Sequence, residues 1–124
     1  MKKILICGSR SWTSGKVIRD IVGLIKEDVT IIHGDCKTGA DAIADHYANL
    51  RGLTVMAFPA DWARLGRRAG PARNTRMLDE NPDLVIAFTD DLERSRGTRD
   101  TVTKARKRGI PVEVINSLGR VDRG

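Results

Sequence analysis

The chain is short of the features that usually announce a function. Only Cys7 and Cys36 are cysteine among 124 residues, too few for a disulfide framework and in keeping with reduced thiols. With the two histidines, His33 and His46, they would make four zinc ligands on paper. No C-x-x-C or H-x-x-x-H pair supplies the spacing, so no metal is expected. Long apolar runs are missing as well. The opening MKKILICGSR has two lysines and an apolar stretch that stops at Gly8, short of a signal peptide or a membrane span. A cytoplasmic protein with no membrane partner is expected.

Aromatic residues make up 4% of the chain, and no continuous stripe of cations and aromatics of the kind that tracks single-stranded nucleic acid is visible. Two nucleotide fingerprints are incomplete. G-x-G-x-x-G does not follow the first apolar run. In HGDCKTGAD, Gly34 and Gly39 have the spacing of the first glycines of G-x-x-x-x-G-K-[ST], but Ala40 and Asp41 stand where that loop needs Lys and Ser or Thr.

What the chain does have is the composition of one globular domain, 40% apolar and 31% charged, long enough to bury a single core. Twenty-two Lys and Arg against 16 Asp and Glu leave it at +6, a field that attracts phosphates, nucleotides or nucleic acid. Many of these cations, Arg51, Lys104, Arg106, Lys107, Arg108, Arg120 and Arg123 among them, also suit a solvated face.

Five short runs rich in Val, Ile, Leu and Phe, at 2–7, 29–33, 53–58, 83–88 and 111–115, have strand length, and being apolar on both faces they suit a parallel sheet covered on both sides. Between them the apolar spacing turns helical: after Ser14, from Ala40 to Gly52, from Gly70-Pro71 to Asn81, and from Thr98 to Arg108 with Gly109 beyond. Five strands alternating with four helices predict an α/β, Rossmann-like three-layer domain with a five-stranded parallel sheet. It spans residues 1–116, and 117–124 read as a fraying C-terminal tail.

In such a sheet the ligand lies beyond the carboxyl ends of the strands, at the point where the strand order reverses. The loops after the strands are therefore the candidate site. Gly8-Ser9-Arg10 offers a tight turn, a hydroxyl and a guanidinium that can fork onto phosphate. In the second loop Asp35 is a turn former or an acceptor for ribose hydroxyls. Thr38 and Asp41 have capping-box spacing, so Asp41 either serves its own backbone or faces a ligand. Arg67, Arg68, Arg73 and Arg76 crowd the Gly70-Pro71 helix start, where the helix dipole disfavours cations, and Asn74 stands among them. An anionic ligand would explain them, as would pairing with Asp61, Asp79 and Glu80. Trp12 or Trp62 could stack on a base or cover the end of the sheet. Ser95-Arg96-Gly97-Thr98 opens the last helix with Thr98 as its N-cap, a terminus suited to phosphate.

Taken together, GSR, HG-x4-GAD, P-A-x-W, AGPxRNxxM and AF followed by G-T resemble the YspA-type, YpsA-related members of the SLOG superfamily. The wider relatives of these proteins include the LOG phosphoribohydrolases and the DNA-processing protein DprA. The resemblance runs from about residue 3 to residue 112. It implies a nucleotide or nucleotide-derived ligand, with roles in sensing or processing and in phages and defence systems. It implies homodimers or higher assemblies, and ligand contacts from Gly8, Ser9, Arg10, Gly34, Gly39, Ala40, Asp41, Gly70, Arg73, Asn74, Gly97 and Thr98. No cofactor is expected. LOG enzymes carry P-G-G-x-G-T-x-x-E; aligned on Gly97-Thr98, this chain has Thr101 at the Glu position and Asp100 one residue away, about 100° round a helix. If a glycosidic bond is cleaved, the candidate catalytic groups are Asp41 and Asp100. Binding of a phosphate-bearing nucleotide, LOG-like N-glycosidase activity and DprA-like binding of single-stranded nucleic acid thus remain the three readings.

Overall fold

The computed structural model describes residues 2–123. Its strands are β1 (Lys3–Gly8), β2 (Thr30–His33), β3 (Thr54–Ala57), β4 (Leu84–Phe88), β5 (Val112–Ile115) and β6 (Val121–Asp122). Its helices are α1 (Gly15–Gly23), α2 (Gly39–Leu50), α3 (Trp62–Leu65), α4 (Ala69–Asp79) and α5 (Arg96–Lys107), and a 3-10 turn, Gly66–Arg68, joins α3 to α4. Among the described residues no helix is long and apolar enough to cross a membrane.

The strands lie in one sheet in the order β3-β2-β1-β4-β5-β6. The first five are parallel neighbours, with Leu5 of β1 registered between Ile32 of β2 and Val85 of β4. Successive side chains of a strand point to opposite faces, and two apolar layers result. Ile6, Ile31, Ile86 and Phe88 pack with Ile18 and Val22 of α1 and Ala40, Ala44 and Ala48 of α2. Leu5, Cys7, Ile32, Val85 and Ala87 pack on the other face with Met77 and Leu78 of α4 and Val102 and Ala105 of α5. The alternation inside ILIC and LVIAF is therefore what clothes the sheet on both sides.

The expected five-stranded parallel sheet is corrected to six strands. β6 pairs antiparallel with β5, Ile115 opposite Val121, in the segment read as a fraying tail. A turn makes this possible: Asn116 Oδ1 accepts the N–H groups of Leu118 and Arg120, and Gly119 takes φ +80°. NSLGR was a hairpin signal. The loop before α4 is also more ordered than expected, since Asp61 caps α3 by accepting the Arg64 N–H at 3.1 Å.

Two predicted caps differ. Thr38 makes no side-chain capping bond at the start of α2, so the Thr38–Asp41 capping box does not form. Instead Asp41 Oδ2 takes the Cys36 N–H, at 3.4 Å, because the loop folds back over the helix start. Thr98 is not an N-cap either: α5 begins at Arg96, with the Arg99 N–H closing onto Ser95 O at 2.7 Å. Ser95 Oγ is drawn instead to Asp91 O and Thr89 Oγ1, which sets the helix start two residues earlier and leaves Thr98 buried in the first turn.

Candidate functional site

The chain crosses back over β1 between β3 and β4, so the strand order reverses between β1 and β4. Beyond their carboxyl ends lies a cavity of about 910 Å³. Of the residues the sequence singles out, it is lined by Gly8, Ser9, Arg10, Gly34, Asp41, Trp62, Arg67, Gly70, Arg73, Asn74, Arg96, Gly97, Thr98 and Asp100, among others. Ala40, Asp35 and Gly39 stand outside it. Ala40 is fully buried in the α1–α2 core, and the Asp35 carboxylate pairs with Lys37 at 3.3 Å.

Gly39 has φ +74°, and a Cβ there would run into Ser9 O and the Arg10 backbone. The Ala40 N–H donates to Ser9 O at 3.1 Å, so the first two loops interlock through a residue that only glycine can be. Gly34 has a related role. The Arg73 guanidinium lies where its Cβ would be, which lets a side chain from α4 reach across to the end of β2. At the base of this loop the buried His33 receives the Asp35 N–H on Nδ1 at 3.0 Å, and its Nε2 meets Asp45 Oδ1 at 2.8 Å. Accepting on Nδ1 assigns the ring proton to Nε2, which donates to Asp45.

Arg73 is 7% exposed. Its Nε donates to Asn74 Oδ1 at 2.9 Å and its Nη1 to Gly34 O; Nη2 makes no hydrogen bond among the described residues, and no carboxylate lies within ion-pair distance. A buried guanidinium held only by neutral acceptors leaves much of its desolvation uncompensated. Asn74 is engaged at both ends, since its Nδ2 donates to Gly97 O at 3.2 Å and Asp100 Oδ2 at 3.0 Å. It ties Arg73 to the start of α5, so the job of a positioning group fits it better than a sugar contact.

The same pattern recurs around the rim. Arg10, Arg67 and Arg96 line the cavity without an ion-pair partner among the described residues. Arg10 lies over the Trp62 ring at 5.4 Å, a cation–π contact. Neither α4 nor α5 has a side-chain cap or an acid in its first turn; at α4 the Ala69 N–H is taken by Gly66 O and Pro71 has none, so it is the N–H groups opening α5 that are left to the cavity.

Two carboxylates enter the cavity. Asp100 is matched by Lys104 at 2.9 Å. Asp41 is 5% exposed, and burial holds its carboxyl above the ordinary range, only partly opposed by the Cys36 contacts and Arg73. Thr101, at the position where LOG enzymes have Glu, turns its hydroxyl back onto Gly97 O at 3.2 Å.

Lining residues that escaped the sequence reading as site groups are Cys7, Ser11, Cys36, Met77 and Arg94. Met77 closes the AGPxRNxxM stretch, and nothing in the spacing of the others marks them. Burial pushes the Cys36 thiol up, away from nucleophilic thiolate character. The two tryptophans separate cleanly. Trp12 is buried against Phe88 at 5.5 Å and its indole N–H donates to Ser14 O at 2.9 Å, covering the sheet end. Trp62 is 49% exposed at the cavity.

Comparison with known proteins places this geometry in a lineage. Residues 2–65 match the profile of the YspA, cpYpsA-related SLOG family, a stretch that runs from β1 through α3 and includes the first two cavity loops. The Gene 61 protein of Mycobacterium phage D29 is similar, at 36% identity over 121 residues, covering 90% of this chain and 94% of that one.

Proposed function

Because the chain belongs to the YspA, cpYpsA-related SLOG family, whose members are linked to nucleotide-related ligands, we propose that it binds a nucleotide or nucleotide-derived ligand, phosphate plus ribose, in the cavity between β1 and β4. One observation carries the reading: Arg73 is buried at the cavity wall with a free Nη2 and no counter-charge within ion-pair distance among the described residues. A phosphate oxygen would supply both the charge and the missing acceptor. The amides opening α5 lie beside it and need acceptors of the same kind.

The sugar falls to Asp41. Its carboxyl is the one acid at the cavity without a cation at ion-pair distance among the described residues, and its oxygens can accept hydrogen bonds from ribose hydroxyl groups. Trp62 presents the exposed aromatic face for a base. Binding is tested by calorimetry of the full chain against a panel of nucleotides, ADP-ribose and NAD, together with mass spectrometry of small molecules that copurify with it. Heat of binding lost in Arg73→Met supports the reading, and a silent panel with no copurifying nucleotide removes it.

A second reading, a LOG-like N-glycosidase, rests on the presence of Asp41 and Asp100 at one cavity. Cleavage of an oxocarbenium-like bond needs a carboxylate near the sugar, and Asp41 is the candidate of the two that is not held by a lysine. Base release from nucleoside monophosphates that disappears in Asp41→Asn supports it; intact substrate after prolonged incubation with the wild type ends it.

A further inference from the structure

The charges around the cavity are unequal in a way that bears on the ligand. Arg94 is matched by Asp91 at 3.4 Å and Asp100 by Lys104 at 2.9 Å. What remains is Arg10, Arg67, Arg73 and Arg96 against Asp41. These four cations come from four different segments: the loop after β1, the 3-10 turn, α4 and the first residue of α5. They are joined by two helix starts with neither cap nor acid.

A phosphate monoester brings at most about two negative charges and presents its free oxygens from one point, so it leaves part of this set unmatched. The cavity, at about 910 Å³, is at the upper end of ligand sites and holds more than one such group.

Resting on the nucleotide reading above, we infer that the ligand carries two phosphoryl groups, as a nucleoside diphosphate or a diphosphate-linked nucleotide does. The inner group meets Arg73 and the start of α5, and the outer one meets the exposed arginines at the rim.

The test is calorimetry of the full chain against the mono- and diphosphates of the four common ribonucleosides and ADP-ribose, with orthophosphate and pyrophosphate as base-free probes. In at least one base series the diphosphate, or ADP-ribose in the adenine series, is expected to bind ten-fold or more tightly than the monophosphate, with a steeper loss on adding salt. Pyrophosphate should likewise exceed orthophosphate. Arg67→Gln and Arg96→Gln remove exposed side chains that make no hydrogen bond or ion pair among the described residues. They should therefore keep the wild-type melting temperature while narrowing the gap to less than three-fold. A monophosphate bound within three-fold of every two-phosphate ligand overturns this inference and leaves the nucleotide site standing. A gap that both variants preserve overturns the role given to the rim. Silence from every member of the panel overturns this inference and the nucleotide reading together.

Discussion

The two ends of the sheet differ in how they hold their cations. At the amino ends of the strands Lys3, Arg51 and Arg108 find partners within the fold, while Lys2, Lys26, Arg106 and Lys107 are exposed to solvent without ion pairs among the described residues. Lys3 Nζ meets Glu80 at 3.3 Å, Arg108 meets Asp79 at 2.9 Å, and Arg51 Nη1 donates to the carbonyls of Val22, at 2.7 Å, and Ile25 at the close of α1. Helix carboxyl ends gather there, and cations complement them. At the carboxyl ends of the strands Arg10, Arg67, Arg73 and Arg96 stand without carboxylate partners among the described residues, beside helix starts whose dipoles oppose them. Cations of the first kind are explained by the fold alone. Those of the second kind have no carboxylate partner among the described residues, and the proposed ligand would supply an anionic one.

Substitutions at the two ends should therefore separate stability from binding. The largest effect belongs to Gly39→Ala, which forces a side chain at φ +74° into the Ser9 backbone. A loss of about 2–4 kcal/mol in denaturant unfolding is expected, and a native-like midpoint would show that the two loops are less interlocked than they look. Next comes Arg73→Met. It should weaken nucleotide binding by about 100-fold while changing stability by no more than about 1 kcal/mol, because it removes a buried charge along with its hydrogen bonds. Its counterpart at the other end, Arg51→Met, should lower stability by about 1–2 kcal/mol and leave binding untouched. If both variants behaved alike, the contrast between the ends would be void.

Trp62→Ala should weaken binding by about ten-fold, the worth of one stacked base. In the wild type, nucleotide should alter tryptophan fluorescence, because Trp62 is open to the cavity while Trp12 is sealed against Phe88. A fluorescence change that survives in Trp62→Ala would place the base elsewhere. A smaller effect is expected from Asp41. Its carboxyl is raised in the fold from 3.8 by burial, so its protonated form favours folding; that contribution is complete below the unfolded value and is lost as pH rises through the folded one. Asp41→Asn cannot ionise and should be more stable than wild type at pH 7, with the advantage disappearing below about pH 4. An advantage constant across pH would mean that the carboxyl is not raised. Smallest of all, Arg108→Ala should cost less than about 0.5 kcal/mol, since its partner Asp79 is mostly exposed.

Much of this could be read before any coordinates. ILIC, TIIH and LVIAF announce strands covered on both faces, and AGPARN and HGDCKTGAD stand out as loops at the ligand end of the sheet, because such signals are local in the chain. The sixth strand was written in NSLGR and missed, since two paired residues have no periodicity to detect. The caps were misread for a related reason. Thr38 and Thr98 have the right spacing, but the partners that draw the backbone elsewhere, Cys36 and Thr89, become neighbours only through the fold of the loops.

What the sequence by itself determined is the alternation of strand and helix, the choice of loops that carry the site, and the excess of positive charge, all of which follow from residue type and short-range period. Which cations stay unmatched was decided by tertiary structure. Sequence marks Arg73 as a helix-start cation and Arg108 as a helix-end one but names no partner for either; one is carried 39 residues back along the chain to Gly34, and the other 29 residues back to a carboxylate. Compensation of charge depends on distances of a few ångströms between remote segments, and only the packed sheet sets those distances.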